Sequence, residues 1–186
     1  YNNDKDIFGM IFIVLSIVIL AYMFISPLNH LITHIDEYFT MTVINFPVLD
    51  IISITGADVH PPLYYLMLKL ATKLFASIGI SKLYLVKLIS VIPYLLIIVV
   101  ALTKVRNEYG WLTAGLFTFT LGVMSEFFAH YMMARMYSWG ILFLVLAFIY
   151  FKDVIEKNDI KSWALLTVFA VLCAYTHYFA AISAVV

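Results

Sequence analysis

PPLYYLMLKLATKLFASIGI, residues 61–80, decides how the rest of the chain is laid out. It is long enough to cross a hydrocarbon core of ~30 Å, and its proline pair is well placed at a helix start. Lys69 and Lys73, however, fall near its middle at i,i+4 spacing, opposite Leu66, Leu70 and Leu74. A helix with one basic face more often lies along a membrane interface than across it. Burying two lysines at mid-membrane would also cost several kcal/mol.

The surrounding sequence is mostly apolar: 65% hydrophobic and 12% charged, with mean hydropathy +1.03. A soluble domain carries roughly 25% charged residues. The chain therefore reads as an all-α polytopic membrane protein with about five transmembrane helices, at residues 7–27, 83–103, 111–129, 136–151 and 163–185. Ser26-Pro27 ends the first span and Pro93 kinks the second. Residues 28–80 form an external loop with interfacial juxtamembrane helices. The first span lacks the basic leader and small-residue cleavage site of a signal peptide, so it reads as retained. Residues 1–186 read as one module that begins at Tyr1 and stops in the apolar AAISAVV, as an excised part of a longer protein would.

Loop charge separates the two readings of 61–80. If that helix lies flat, the connections at 104–110 and 152–162 share one side and bring Lys104, Arg106, Lys152, Lys157 and Lys161 together. The 28–80 loop and the 125–135 connection then share the other side, with Arg135 as the basic residue between spans. The positive-inside rule makes the first side cytoplasmic. If the helix spans, the basic loops move outside. The flat reading is preferred, and it places the protein in the plasma membrane with its polar residues facing the extracytoplasmic side.

Those polar residues are concentrated just upstream. HLITHIDEYFTMTVINFPVLDIISITGADVHPPLYYL, residues 30–66, holds Asp36, Glu37, Asp50, Asp58, His30, His34 and His60, and no Lys or Arg. Asp36 and Glu37 are adjacent, so their side chains diverge. One is expected to face a cavity while the protein holds the other. A carboxylate desolvated at an interface suits a general base, although a solvated loop after a transmembrane helix has the same spacing. In Asp58-Val-His60-Pro-Pro the prolines aim His60, and Asp58 is placed to hold its tautomer; a structural turn is the plain alternative. Arg135 either snorkels to lipid phosphates or clamps a phosphate-bearing substrate. His177, in AYTHYFAA, either packs between helices or joins the external site. His30 and His34 at i,i+4 are weak metal candidates, so a divalent metal is possible and no cofactor is firmly indicated. Net charge is zero, which gives no basis for nucleic-acid binding. Cys173 is the one cysteine, so no intrachain disulfide forms.

The order of these features resembles a known family. A first span, Asp36-Glu37, then Asp58-Val-His60-Pro61-Pro62-Leu63, Ala134-Arg135-Met-Tyr137 and Thr176-His177-Tyr178 is similar to the N-terminal membrane module of GT-C fold glycosyltransferases. Nearest are family 39 protein mannosyltransferases and the prokaryotic dolichyl-phosphate-mannose-protein mannosyltransferase-like proteins. The similarity runs over essentially all of the chain. It implies an inverting glycosyltransferase of the cell envelope that moves a sugar from a polyprenyl-phosphate donor to the hydroxyl of a protein, lipid or glycan acceptor. Asp36 would be the catalytic base, supported by Glu37. His60 and Arg135, with Asp58, His177 and Tyr64 nearby, would meet the lipid phosphate or substrate. Tyr64 stands where the eukaryotic enzymes tend to have Gly-Lys, which argues against a eukaryotic-type protein mannosyltransferase. A transporter or lipid flippase with a polar external cavity is the competing class, and an inactive scaffold a third. A flippase would need charges along mid-membrane; here they cluster toward one face.

Overall fold

The computed structural model describes residues 2–29, 35–58 and 60–185, and these are helical with no strand among them. α1 (Asn2–Asn29) runs through Pro27 instead of ending there. A proline so near the C-terminus removes one helical hydrogen bond without stopping the helix. Then come α2 (Ile35–Val43), α3 (Val48–Ala57), α4 (Leu63–Leu74) and a 3₁₀ turn at Ala76–Ile78. α5 (Lys82–Val100) continues through a π-turn at Ala101–Val105 into α6 (Arg106–Val123). α7 (Ser125–Met132), α8 (Tyr137–Lys157), α9 (Ile160–Thr176) and α10 (Tyr178–Val185) complete the order.

Among the described residues, three helical stretches are long and apolar enough to cross a membrane: Asp4–Pro27, Lys82–Val123 and Tyr137–Lys157. Length and composition do not confirm the expected count of about five, for two reasons. Residues 82–123 are helical on both sides of Gly110, but the backbone there is not helical (φ 82, ψ 174), so two helical legs count as a single long stretch. The expected span 163–185 is broken at His177, whose backbone is extended (φ −158, ψ 128). Ser183 and Ala184 return beside Leu144 and Leu166, so α10 folds back along α8 instead of prolonging α9. The stretch 61–80 forms a helix of only twelve residues, about 18 Å long, which cannot cross a bilayer.

Chain direction follows from contacts. Gly9 lies against Trp111 and Gly115, and Ser16 Oγ donates to Thr118 Oγ1 at 3.0 Å, so α1 and α6 run parallel. Tyr84 Oη donates to Phe24 O at 3.1 Å and Tyr94 Oη to Thr118 O at 3.1 Å, so α5 runs antiparallel to both. The chain thus reverses at Gly110, inside the range of α6, and the positive φ that the reversal uses falls on this glycine. Where α1 meets α6 the backbones touch: a Cβ on Gly9 would collide with the Trp111 backbone, and one on Gly115 with the Gly9 backbone. Gly115→Ala is expected to force the pair apart at a cost of about 1–3 kcal/mol. Gly56→Ala, with open space around it, should change stability little. Thermal unfolding in detergent separates the two.

Two packed clusters follow. The larger joins α1, α5, α8 and α9 through Met23, Val91, Tyr94, Ile97, Leu142 and Cys173. The smaller lays Val43, Ile51, Tyr64, Tyr65 and Leu68 of α2–α4 onto Val86, Ala134 and Met136. The three short helices therefore form a cap on one end of the bundle. At the opposite end the basic connections meet: Lys104 pairs with Asp153 at 3.3 Å, Lys152 with Glu108, and Lys157 with Asp153 at 2.6 Å.

Candidate functional site

The two adjacent carboxylates on the first turn of α2 have opposite environments. Glu37 is fully buried. Its carboxylate lies 2.9 Å from Lys87 Nζ of α5 and accepts the Ala134 N–H at 2.6 Å. Lys87 also donates to Met132 O at 3.5 Å, serving a carbonyl at the end of α7. One buried ion pair thus ties α2, α5 and the non-helical 133–136 segment together. Asp36, one residue earlier, is exposed, and its carboxylate makes no hydrogen bond or ion pair among the described residues. Its backbone carbonyl accepts from Arg135 Nη1 at 3.3 Å. Of the two candidate catalytic carboxylates, Asp36 is accessible and Glu37 is structural support for the segment that carries Arg135.

Arg135 is the centre of the constellation. It is 4% exposed. Nη1 also donates to Tyr65 Oη at 3.4 Å and Nη2 to His60 Nε2 at 3.2 Å. Guanidinium has no acceptor, so His60 Nε2 must be the accepting nitrogen. Nδ1–H is then left to donate to Asp58 Oδ2 at 3.1 Å. Asp58 therefore orients His60, and His60 orients Arg135. Every hydrogen-bond partner of Arg135 is neutral, and Nε is buried without an acceptor among the described residues. A buried cation facing only neutral groups is a strong attractor for an anion, and its planar fork matches phosphate.

Tyr64, the tyrosine expected at the site, is fully buried against Ser90 Oγ at 2.7 Å, and burial pushes its phenol well above the ordinary range. Its neighbour Tyr65 takes the position on Arg135 instead. Successive helical residues point about 100° apart, and the packing of α4 on α5 turns Tyr65 toward the guanidinium. Burial pushes the Tyr65 phenol up to about 12, with Arg135 pulling the other way, so the hydroxyl keeps its proton at physiological pH. Lys87, which sequence reasoning missed, carried one available signal: a lysine inside an otherwise apolar run.

His177, at the joint between α9 and α10, is brought to the same place. Its ring centroid lies 6.2 Å from that of His60 and 5.2 Å from that of Tyr137, whose ring in turn lies tilted 4.4 Å from that of His130. The His177 Nδ1 accepts the Phe179 N–H at 3.2 Å. Beyond these rings a cleft of about 200 Å³ runs between α7, α8 and α10, walled by Phe127, Ile141, Leu144 and Ala180. The polar cluster thus opens into an apolar groove.

His30 and His34 lie outside the described residues. Among the described residues no group of three His, Cys, Asp or Glu side chains gathers closely enough to hold a metal ion. Comparison with family models, curated proteins and solved structures finds no match to this chain.

Proposed function

We propose that the chain is a glycosyltransferase that moves a sugar from a polyprenyl-phosphate donor to an acceptor hydroxyl, with inversion, on the extracytoplasmic face of the plasma membrane. One observation carries the reading. The buried guanidinium of Arg135, whose hydrogen-bond partners among the described residues are all neutral, donates to the backbone carbonyl of Asp36, so a buried cation suited to an anion and an exposed carboxylate stand side by side. Asp36 takes the proton of the acceptor hydroxyl. The oxygen attacks the anomeric carbon from the face opposite the phosphate, the bond from that carbon to the phosphate oxygen breaks, and polyprenyl phosphate leaves. Arg135, positioned by His60 and Asp58, offsets the charge that develops on the phosphate. The apolar groove past Tyr137 and His177 suits the isoprenoid tail.

In a membrane the α5 and α6 legs count as two crossings and α9, about 26 Å long, as another, which gives five. The basic end faces the cytoplasm by the positive-inside rule. Cysteines introduced at Leu49 and Lys157 test this: in intact cells an impermeant maleimide should label the first alone. Labelling of Lys157→Cys alone would overturn the orientation. Cys173 is buried and adds no background.

The reaction is tested by incubating the purified chain with polyprenyl-phosphate hexoses and pentoses and measuring release of polyprenyl phosphate. Arg135→Lys keeps the charge but loses the fork that spans Tyr65, His60 and Asp36. A drop in kcat/KM of about 10- to 100-fold is expected, the worth of a charge-assisted hydrogen bond. Full activity in Arg135→Lys would remove the phosphate role.

A further inference from the structure

Further along α4, a cleft of about 440 Å³ opens between the α2–α3 turn, the C-terminal half of α4 and the start of α5. Lys69, Lys73 and Lys82 line it, with Asn45 and Thr72 between them. Lys69 Nζ donates to Phe46 O at 2.6 Å and to Ile44 O at 3.4 Å, while Lys82 Nζ donates to Asn45 Oδ1. Lys73 is exposed and makes no hydrogen bond or ion pair among the described residues. Among the described residues no Asp or Glu lines the cleft. Elsewhere the pattern differs: Lys87, Lys104, Lys152 and Lys157 each face a carboxylate.

Three ammonium groups around one cavity repel each other, and none is placed there to neutralise a protein carboxylate. Lys82 stands in the first turn of α5, where the helix dipole disfavours a cation and favours an anion. Neutral acceptors hold Lys69 and Lys82 at the cleft wall. Of the apolar residues that line the cleft Phe75 and Ile80 are exposed, and Leu70, Leu74 and Ile78 are exposed on the same α4–3₁₀ segment. Cations set within exposed apolar side chains match an amphiphile whose charged group is anionic.

We infer that this cleft binds the phosphate of an anionic phospholipid, with Lys73 and its two neighbours on the phosphate oxygens and the rim of α4 against the acyl chains. The site involves none of Asp36, His60 or Arg135, so it stands or falls apart from the transfer reaction.

Thermal unfolding of the full chain in neutral detergent, followed by tryptophan fluorescence, tests this when titrated with short-chain phosphatidylglycerol, phosphatidylcholine or inorganic phosphate. Phosphatidylglycerol is expected to raise the midpoint at concentrations where phosphatidylcholine does not. Lys73→Gln should weaken the apparent affinity about fivefold, the increment of one lysine facing anionic headgroups. The triple Lys69→Gln, Lys73→Gln, Lys82→Gln variant should weaken it roughly 100-fold, as three such increments combine. Lys73 is exposed and makes no hydrogen bond or ion pair among the described residues, so its variant should unfold like the parent without lipid, and any change is one of binding. A shift reproduced by inorganic phosphate and weakened by Lys73→Gln would keep the anion site but overturn the lipid as its source. Equal responses of the parent and both variants to phosphatidylglycerol would overturn the site itself.

Discussion

Glu37→Ala is expected to lower the free energy of unfolding by about 3–5 kcal/mol, because it leaves the Lys87 ammonium buried without its charge partner. Against a total of about 5–15 kcal/mol, such a loss is enough to deplete the folded protein. The damage also spreads along the chain. Ala134 N–H loses its acceptor, so the segment that presents Arg135 is no longer held. Glu37→Gln keeps an oxygen for Ala134 and should fall between the parent and Glu37→Ala. The double variant Glu37→Leu with Lys87→Met should recover much of the loss, since apolar groups of similar size can replace a buried ion pair at little cost. Unfolding midpoints of the single and double variants, arranged as a double-mutant cycle, measure the coupling. A Glu37→Ala protein that melts with the parent would sink this account of the site's framework.

Asp36→Asn should give the reverse result one residue away. The side chain is exposed and makes no hydrogen bond or ion pair among the described residues, so the isosteric change is expected to leave stability within about 0.5 kcal/mol. Transfer from a polyprenyl-phosphate donor should fall by about 10²- to 10⁴-fold, the usual worth of a positioned general base. Asp36→Glu, which restores a carboxylate slightly displaced, should regain part of the rate. The pairing of the two experiments is what discriminates. If Asp36→Asn melts early, the residue is structural and the rate loss means nothing. If it folds normally and transfers at the parent's rate, the catalytic role is wrong.

Much of the site was legible because it is polar in an apolar chain. Asp36, Glu37, Asp58, His60, Arg135 and His177 stand out by composition, and the structure brings them to one end of the bundle. The division of labour between Asp36 and Glu37 was legible only as a division. Which of the two is buried depends on how α2 is rotated on its axis, and that rotation goes with Val43 of α2 joining the buried cluster formed with Ile51, Tyr64, Tyr65 and Val86. The same uncertainty of rotation hid the exchange of Tyr64 for Tyr65. Lys87 escaped because its partner lies fifty residues away. The break at His177 escaped because AYTHYFAA contains neither proline nor glycine, so nothing local marks the end of α9.

By itself the sequence determined what its solvent requires: helices wherever apolar runs are long, a short amphipathic helix after Pro62, and most charged side chains gathered in the connections between the apolar runs. Those outcomes follow from residue polarity and spacing, which are local quantities. Tertiary structure decided that α10 turns back along α8, that Glu37 closes on Lys87, and that Arg135 is buried among neutral acceptors beside Asp36. Each depends on which helix faces meet and how far apart, and the close backbone approach at Gly9 and Gly115 or the reach of one guanidinium to three partners exists only once distant segments have packed.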